Sequence, residues 1–174
     1  MSRLPIERQP GRRLYAEAPQ DELAAVGTYR QTGREVRMRA DAATALKNMM
    51  AQARLAGVKI IPISGFRTID YQASLFRKAL AKYGSVEAAV RWVGRPRHSE
   101  HHTGLAIDLG DEENPVCDVE PPFEETRAFL WLQQNAAQFG FELSFPRNNP
   151  RGVNYEPWHW RFVGTPETKQ IFQA

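Results

Sequence analysis

The sequence is poor in cysteine, with Cys117 as the single one among 174 residues. One thiol excludes an intramolecular disulfide, so no disulfide framework can hold this fold together. No apolar run approaches the roughly 18–20 residues that a membrane-spanning helix needs, so we expect no membrane span. Residues 1–20 are basic and contain proline but lack the apolar centre of a signal peptide. Two alternatives stay open: the protein remains inside the cell, or the sequence is trimmed at its N-terminus.

Dense runs of lysine and arginine are also lacking. The net charge is +3, the basic residues are scattered, and they do not alternate with aromatic residues. We therefore expect no nucleic-acid partner, although a mild positive charge favours an anionic one. Hydrophobic residues make up 42% of the chain and charged residues 25%, which is typical of a globular domain. The length suits one domain with one core.

Helical and strand patterns alternate along the chain without repeats, which predicts a single α+β domain. We divide it into an N-terminal arm, residues 1–22, and a domain, residues 23–174. Strands are predicted at Val26–Arg30, Glu35–Arg39, Val58–Ile63, Gly104–Leu109, Gly140–Phe145 and Trp158–Phe162. Helices are predicted from Asp41 to Gly57, from Thr68 to Gly84, from Ser85 to Trp92, from Glu124 to Phe139, and after Thr165. The acidic segment Asp111–Pro122 is predicted to be a solvated loop.

The stretch from Ser99 to Leu109 carries the first chemical signal. Side chains alternate along a strand, so Leu105, Ile107 and Leu109 would share a core face. The other face carries only Gly104 and Ala106 before it reaches Asp108, which suits the floor of a pocket. His101 lies seven positions before Asp108, and the glycine allows a bend that brings the two together. Imidazole and carboxylate are ordinary zinc ligands.

A later segment offers the remaining groups. If Trp158–Phe162 is a strand, Trp158, Trp160 and Phe162 face the core, and His159 and Arg161 face the other way. Glu156 lies three positions before His159, so a possible proton acceptor stands beside a possible ligand. Two histidines and one aspartate with an open fourth position are the pattern of a hydrolytic zinc site. Two alternatives remain, in which Asp108 pairs with an arginine and Glu156 pairs with Arg161.

These motifs, Ser-x-His-x-x-Gly-x-Ala-x-Asp followed by Glu-x-Trp-His, resemble those of the zinc D-alanyl-D-alanine carboxypeptidases of bacterial cell walls. That family includes the vancomycin-resistance carboxypeptidases and dipeptidases and shares its fold with the hedgehog signalling domain. The resemblance extends upstream to Ser64-Gly65-Phe66-Arg67 and covers about Val58 to Gly164. The chain departs from the family pattern at three positions, which are Phe66, Arg97 and His102.

The resemblance implies a central, mostly antiparallel sheet with helices packed on it, and zinc on His101, Asp108 and His159. It implies Glu156 as catalytic base and peptidoglycan stem peptides as substrate. The substrate contacts that it implies are Arg67, Gln72, Ser99 and Ser64. It also implies a location in the cell envelope, and we expect a monomer.

The sequence leaves the type of activity and the roles of several residues open. L,D-carboxypeptidase or endopeptidase activity would use the same site, and a non-catalytic metal-stabilised module is the rival from another class. Arg67 could face the oxyanion or the terminal carboxylate of the substrate, or form a surface ion pair. Ser99 could be a turn cap instead of a substrate contact. His98 and His102 are expected to have structural roles or to lie at the rim of the site.

Overall fold

A computed structural model describes residues 13–173. The strands are β1 (Leu23–Tyr29), β2 (Arg34–Arg39), β3 (Ile60–Ser64), β4 (Ala106–Asp111), β5 (Phe141–Leu143) and β6 (His159–Phe162). The helices are α1 (Ala40–Leu55), α2 (Ile69–Tyr83), α3 (Val86–Ala89), α4 (Arg127–Asn135) and α5 (Pro166–Phe172). Short 3-10 turns lie at Gln20–Glu22, Glu100–Thr103, Pro115–Cys117, Pro121–Glu125 and Ala136–Phe139.

The strands form a hairpin, β1 with β2, and a four-stranded sheet in the order β3-β4-β6-β5. Every pairing is antiparallel, so the predicted α+β class with a central antiparallel sheet is confirmed. The strand β4 lies between β3 and β6 in this sheet. Any side chain on the open face of β4 therefore has a neighbour on each side.

The period-2 pattern of β4 and β6 gives the two faces of the sheet as predicted. Leu105, Ile107 and Leu109 are fully buried in the main core. The same core contains Trp158, Trp160 and Phe162, as well as apolar side chains of α1 and α4. Because the core takes one face of the sheet, the polar residues that alternate with these side chains are left to line the opposite face.

Several predicted helix ends are confirmed. Thr68 and Ser85 accept hydrogen bonds from the third backbone amide after each of them, Tyr71 N and Ala88 N, as N-cap residues do. Gly84 closes α2 in the left-handed conformation. The predicted helix 124–139 is interrupted instead, because Thr126 is extended and caps α4 with its side chain.

Two predicted element starts are wrong. Gly104 does not begin a strand: it closes the 3-10 turn Glu100–Thr103 with φ +67°, and β4 starts at Ala106. A side chain at Gly104 would also press on Arg39 N at 3.2 Å. Asp41 does not cap α1, because Arg39 is the N-cap residue and its amide donates to the Gly104 carbonyl.

The acidic segment after β4 is not uniformly solvated, which corrects the predicted loop. Asp111 and Asp118 are buried. Asp111 accepts hydrogen bonds from the backbone of Glu113 and Ala128, and Asp118 accepts them from Tyr29 Oη and Gln31 Nε2. These two carboxylates fasten the segment to neighbouring parts of the fold.

Residues 1–12 of the predicted arm lie outside the described residues. From Arg13 to Pro19 the chain has no helix or strand, but Tyr15 N donates to Arg97 O and Ala18 N to His102 O. This segment therefore runs alongside the stretch that contains His101. Among residues 13–173, no helix is both long and apolar enough to cross a bilayer.

Candidate metal and catalytic site

The register of the sheet places three polar residues in one row. Asp108 on β4 is paired with Ser64 on β3 and with His159 on β6. Directly opposite residues on antiparallel strands have Cβ atoms about 4.5–5.5 Å apart. One aspartate at the centre of the sheet is thus within reach of groups from both neighbouring strands.

His101 reaches the same row from the 3-10 turn before β4. Its Nδ1 donates to the Gly65 carbonyl at 2.7 Å, and its Nε2 lies 3.3 Å from Asp108 Oδ2. Gly65 allows this arrangement because a Cβ there would lie 2.2 Å from the Arg37 carbonyl oxygen. The glycine of the Ser64–Arg67 turn therefore has a structural role in holding His101.

The three side chains fit a metal ion. His101, Asp108 and His159 each offer a ligand atom, all within 4.8 Å of one another, and all three residues are buried. His159 Nδ1 lies 3.1 Å from Asp108 Oδ1. Donors about 2.0–2.2 Å from one zinc ion lie roughly 3.3–3.6 Å apart, so the widest pair of ligand atoms would have to close by up to roughly 1.5 Å. A carbonyl oxygen can only accept, so Nδ1 of His101 carries its proton and Nε2 is the available ligand atom.

The electrostatics of the two histidines differ. Burial and the nearby charge of Arg67 lower the pKa of His101 to about 4, so its imidazole is neutral. Burial also lowers the pKa of His159, but its contacts with Asp108 and Glu100 outweigh burial and raise the pKa to about 9. Burial raises the pKa of Asp108, yet His101 and Arg67 hold it well below its usual range. The set therefore carries a carboxylate ready to bind a cation.

Glu156 lies on the metal side of His159. Its Oε2 is 3.8 Å from His159 Nδ1, and the residue is buried. The backbone carbonyl of Glu156 accepts from His159 N, and its amide donates to Phe145 O. This turn, which contains Pro157, points the carboxylate and the imidazole into one cleft, as the sequence predicts.

Arg67 lies three residues after the end of β3, and its guanidinium bridges two residues of the row. Nε donates to Ser64 Oγ at 2.8 Å, and Nη2 donates to Asp108 Oδ2. Asp108 therefore does pair with an arginine, as one of the alternatives predicted, and it also contacts the two histidines. The remaining nitrogen, Nη1, donates to no acceptor among the described residues. Arg67 also lines the cleft.

The cleft above this set has a volume of about 600 Å³. Gln72 and Ser99 both line it. The Gln72 side chain is 1% exposed, with Nε2 donating to Gly94 O at 2.8 Å and Oε1 left without a partner in the described structure. Ser99 is the N-cap residue of the 3-10 turn but makes no side-chain capping bond. The structure thus brings every predicted site residue to the row or the cleft.

The charged group behind His159, the carboxylate of Glu100, was not predicted from the sequence. Glu100 is 3% exposed, and its Oε2 lies 3.1 Å from His159 Nε2. Its Oε1 accepts from Arg151 Nη1 at 2.6 Å and from Arg161 Nη1 at 2.8 Å. Arg161 shares the site face of β6 with His159, so a cation there was a signal that an anion is nearby. No sequence pattern indicated that this anion is Glu100 and not Glu156.

Burial raises the pKa of Glu100, but the hydrogen bond with His159 and the charges of His159 and Arg161 outweigh it. The pKa of this carboxyl therefore lies well below its usual range. His102 is also buried: Nδ1 donates to Arg67 O at 2.7 Å and Nε2 accepts from Arg97 N. It supports the backbone of Arg67, in line with the structural role expected of it.

A family model, curated relatives and solved structures all point to the same family. The family described as VanY, D-alanyl-D-alanine carboxypeptidase, matches residues 35–165. The Bacillus subtilis (strain 168) protein YodJ is 35% identical over 136 residues, which are 77% of this chain and 49% of that protein. The chain thus spans about half the length of the curated relatives it matches.

Solved structures are similar over most of the chain. The LdcB LD-carboxypeptidase, described with peptidoglycan recognition, superposes with a TM-score of 0.75 at 32% identity, covering 93% of this chain and 75% of that one. A variant of the vancomycin-resistance D,D-pentapeptidase VanY in complex with Zn(II) gives a TM-score of 0.66 at 28% identity, with coverages of 91% and 89%.

Proposed function

Because the chain belongs to the VanY family of D-alanyl-D-alanine carboxypeptidases, as its motifs predict, we propose that it is a zinc-dependent carboxypeptidase. Its reaction would be removal of the terminal D-alanine from peptidoglycan stem peptides. The observation that carries this proposal is the set of three buried ligand residues at the floor of a cleft of about 600 Å³, with a second acid, Glu156, beside them.

His101, Asp108 and His159 would hold the zinc ion, through Nε2, a carboxylate oxygen and Nδ1 respectively. Zinc, when bound, lowers the pKa of a coordinated water towards neutrality and polarises a carbonyl. A relative with a similar fold is described in complex with Zn(II), which supports this choice of metal.

Glu156 would act as the general base. Its carboxylate lies on the same edge of His159 as the ligand atom, 3.8 Å from Nδ1, so it stands beside the position of the attacking water. It would accept a proton from that water and return it to the leaving amine of D-alanine. General acid-base work of this kind is typically worth ~10²–10⁴ in rate.

Arg67 and Gln72 would act on the substrate. Arg67 lines the cleft, where its guanidinium would stabilise the charge on the tetrahedral oxygen. The orientation of Gln72 is fixed because Gly94 O needs a donor, so its Oε1 would accept an N–H group of the peptide. Ser99 would offer a further polar contact, and Ser64 would orient Arg67 through its hydrogen bond with Nε.

Two alternatives share this machinery. L,D-carboxypeptidase activity on a tetrapeptide is supported by the TM-score of 0.75 with LdcB, and endopeptidase action would use the same residues. A non-catalytic metal-stabilised module is disfavoured by Glu156, since structural zinc sites are closed by four protein ligands and need no further acid.

The experiment is a digestion of purified muropeptides followed by mass spectrometry. Pentapeptide, tetrapeptide and cross-linked dimer are offered separately to the zinc-loaded protein and to Glu156→Gln. Loss of one alanine from the pentapeptide supports D,D-carboxypeptidase activity. Loss of alanine from the tetrapeptide supports the L,D alternative, and cleavage of the dimer supports an endopeptidase. No cleavage of any of the three by the parent contradicts the proposal.

A further inference from the structure

The two histidine ligands are oriented by different means. His101 is fixed by a backbone carbonyl, that of Gly65, which no substitution of a side chain removes. Within residues 13–173, no backbone group bonds to the ring of His159, and its Nε2 faces the carboxylate of Glu100. The orientation of one ligand thus depends on a side chain that can be changed.

Glu100 is itself held from the other side. Both arginine contacts go to Oε1, at 2.6 Å from Arg151 and 2.8 Å from Arg161, while Oε2 is left for His159. Arg161 is fixed further by Glu142, whose Oε1 lies 2.6 Å from its Nη2. The carboxylate therefore cannot rotate without giving up its contacts with both guanidinium groups.

The division between the two oxygens has a chemical consequence. Glu100 faces Nε2 of His159 and Asp108 faces Nδ1, so without a metal both ring nitrogens donate to carboxylates. A ligand nitrogen must give up its proton, and Glu100 keeps the proton on Nε2, so Nδ1 would be the nitrogen that becomes free for a metal. Nδ1 is the nitrogen that faces Asp108 and Glu156, at 3.1 Å and 3.8 Å. Glu100 lies on the opposite edge of the ring and so cannot itself take the place of the catalytic base.

We propose that Glu100 is a positioning residue of the metal site, which holds His159 in the tautomer that presents Nδ1 to the metal and is itself held by Arg151 and Arg161. This inference rests on the metal site of the proposed function. Partners of this kind are typically worth 10–100-fold in metal affinity.

The sharpest variant is the isosteric Glu100→Gln. The two arginines need an acceptor, so they keep the amide oxygen at the position of Oε1, and the amide nitrogen takes the position of Oε2. That nitrogen donates to His159 Nε2, so the imidazole keeps its remaining proton on Nδ1, where the proton blocks the ligand atom. Replacement of one oxygen atom by an amide nitrogen should thus disturb metal binding more than the size of the change suggests.

The matched control is Glu142→Gln. It also removes a carboxylate from Arg161, but Glu142 is exposed and does not touch His159. The zinc dissociation constant, measured by competition with a chromophoric chelator, should rise ~10–100-fold in Glu100→Gln. It should change less than about threefold in the control, as befits an exposed ion pair.

A second measurement does not depend on any variant. Nitrogen-15 NMR of the zinc-loaded parent should show His159 with its proton on Nε2 and His101 with its proton on Nδ1. Parent-like zinc affinity in Glu100→Gln, or a proton on Nδ1 of His159 in the zinc-loaded parent, would overturn the role of Glu100 alone. A parent that binds no zinc would overturn this role together with the metal site of the proposed function.

Discussion

The polar groups on the two sides of the metal ligands differ in whether their hydrogen bonds are satisfied. Behind His159, Glu100, Arg151 and Arg161 complete one another's charges and hydrogen bonds in a buried network. In front, the Gln72 side chain has an acceptor without a partner, and the Arg67 guanidinium has a nitrogen without an acceptor among the described residues. A satisfied network positions groups, whereas unsatisfied groups beside a cleft are available to a substrate. Substitutions in the network behind His159 should affect metal binding, and substitutions on the cleft side should affect turnover.

The largest effect is expected at the row itself, where the two sides meet. His159→Ala removes a ligand and leaves Glu100 without its histidine partner. Elemental analysis should show zinc largely lost, and the melting temperature should fall because metal binding and folding are linked. His98→Ala, which removes a buried histidine that is not one of the three ligands, is the control and should retain zinc. Full zinc occupancy in His159→Ala would remove this residue from the site.

The next effect lies in front of the row and should leave the metal untouched. Glu156→Gln keeps the size of the side chain but removes the proton acceptor, so kcat should fall by ~10²–10⁴. Zinc content and melting temperature should match the parent, in contrast to His159→Ala. Near-normal turnover would show that another group moves the proton.

Substitution of Arg67 tests whether turnover can be changed without changing metal binding. Arg67→Ala should lower kcat by ~10²–10³ with little change in KM if the guanidinium stabilises the transition state. A parallel rise in KM would indicate that Arg67 binds the terminal carboxylate instead. Since Arg67 also donates to Asp108, zinc affinity is measured alongside the kinetics. Arg67→Lys keeps the charge but not the planar fork, so it should restore little of the activity.

If both kcat and KM of Arg67→Ala stay within about twofold of the parent, well short of the loss expected of an oxyanion donor, the guanidinium plays no part in catalysis. The substrate side of the account would then be wrong, while the metal set would stand.

The smallest effect is expected at Gln72. Gln72→Leu removes the acceptor in the cleft, and one neutral hydrogen bond is worth about 1 kcal/mol, or roughly fivefold in kcat/KM. The change should appear mainly in KM if the contact is made equally in the ground state and the transition state. Zinc affinity serves as the control readout and should be unchanged. Parent-like kcat/KM would exclude a substrate contact here.

Local patterns predicted the parts of the site that follow from periodicity. The alternation of apolar residues along β4 and β6 placed Asp108 and His159 on the face away from the core, and the structure agrees. Residue types then predicted that His101 joins them, which it does. A strand has a period of two whatever it pairs with, so this information was present in each segment alone.

Long-range partners could not be predicted in the same way. Glu100 lies next to His101 in sequence, but its partners Arg151 and Arg161 come from a loop and a strand that are 51 and 61 positions away. The burial of Asp118 likewise depends on Tyr29 and Gln31 from the hairpin. Polar residues give no periodic signal of burial, so only the packed structure identifies which acid meets which base.

The most direct test of the account is whether turnover depends on zinc at this row. The parent is stripped with a chelator, reloaded with one equivalent of zinc, and assayed for D-alanine release from muropeptide pentapeptide at each stage. The account predicts that release stops on stripping, returns on reloading, and does not return in His159→Ala. Unchanged release by the stripped protein would contradict it.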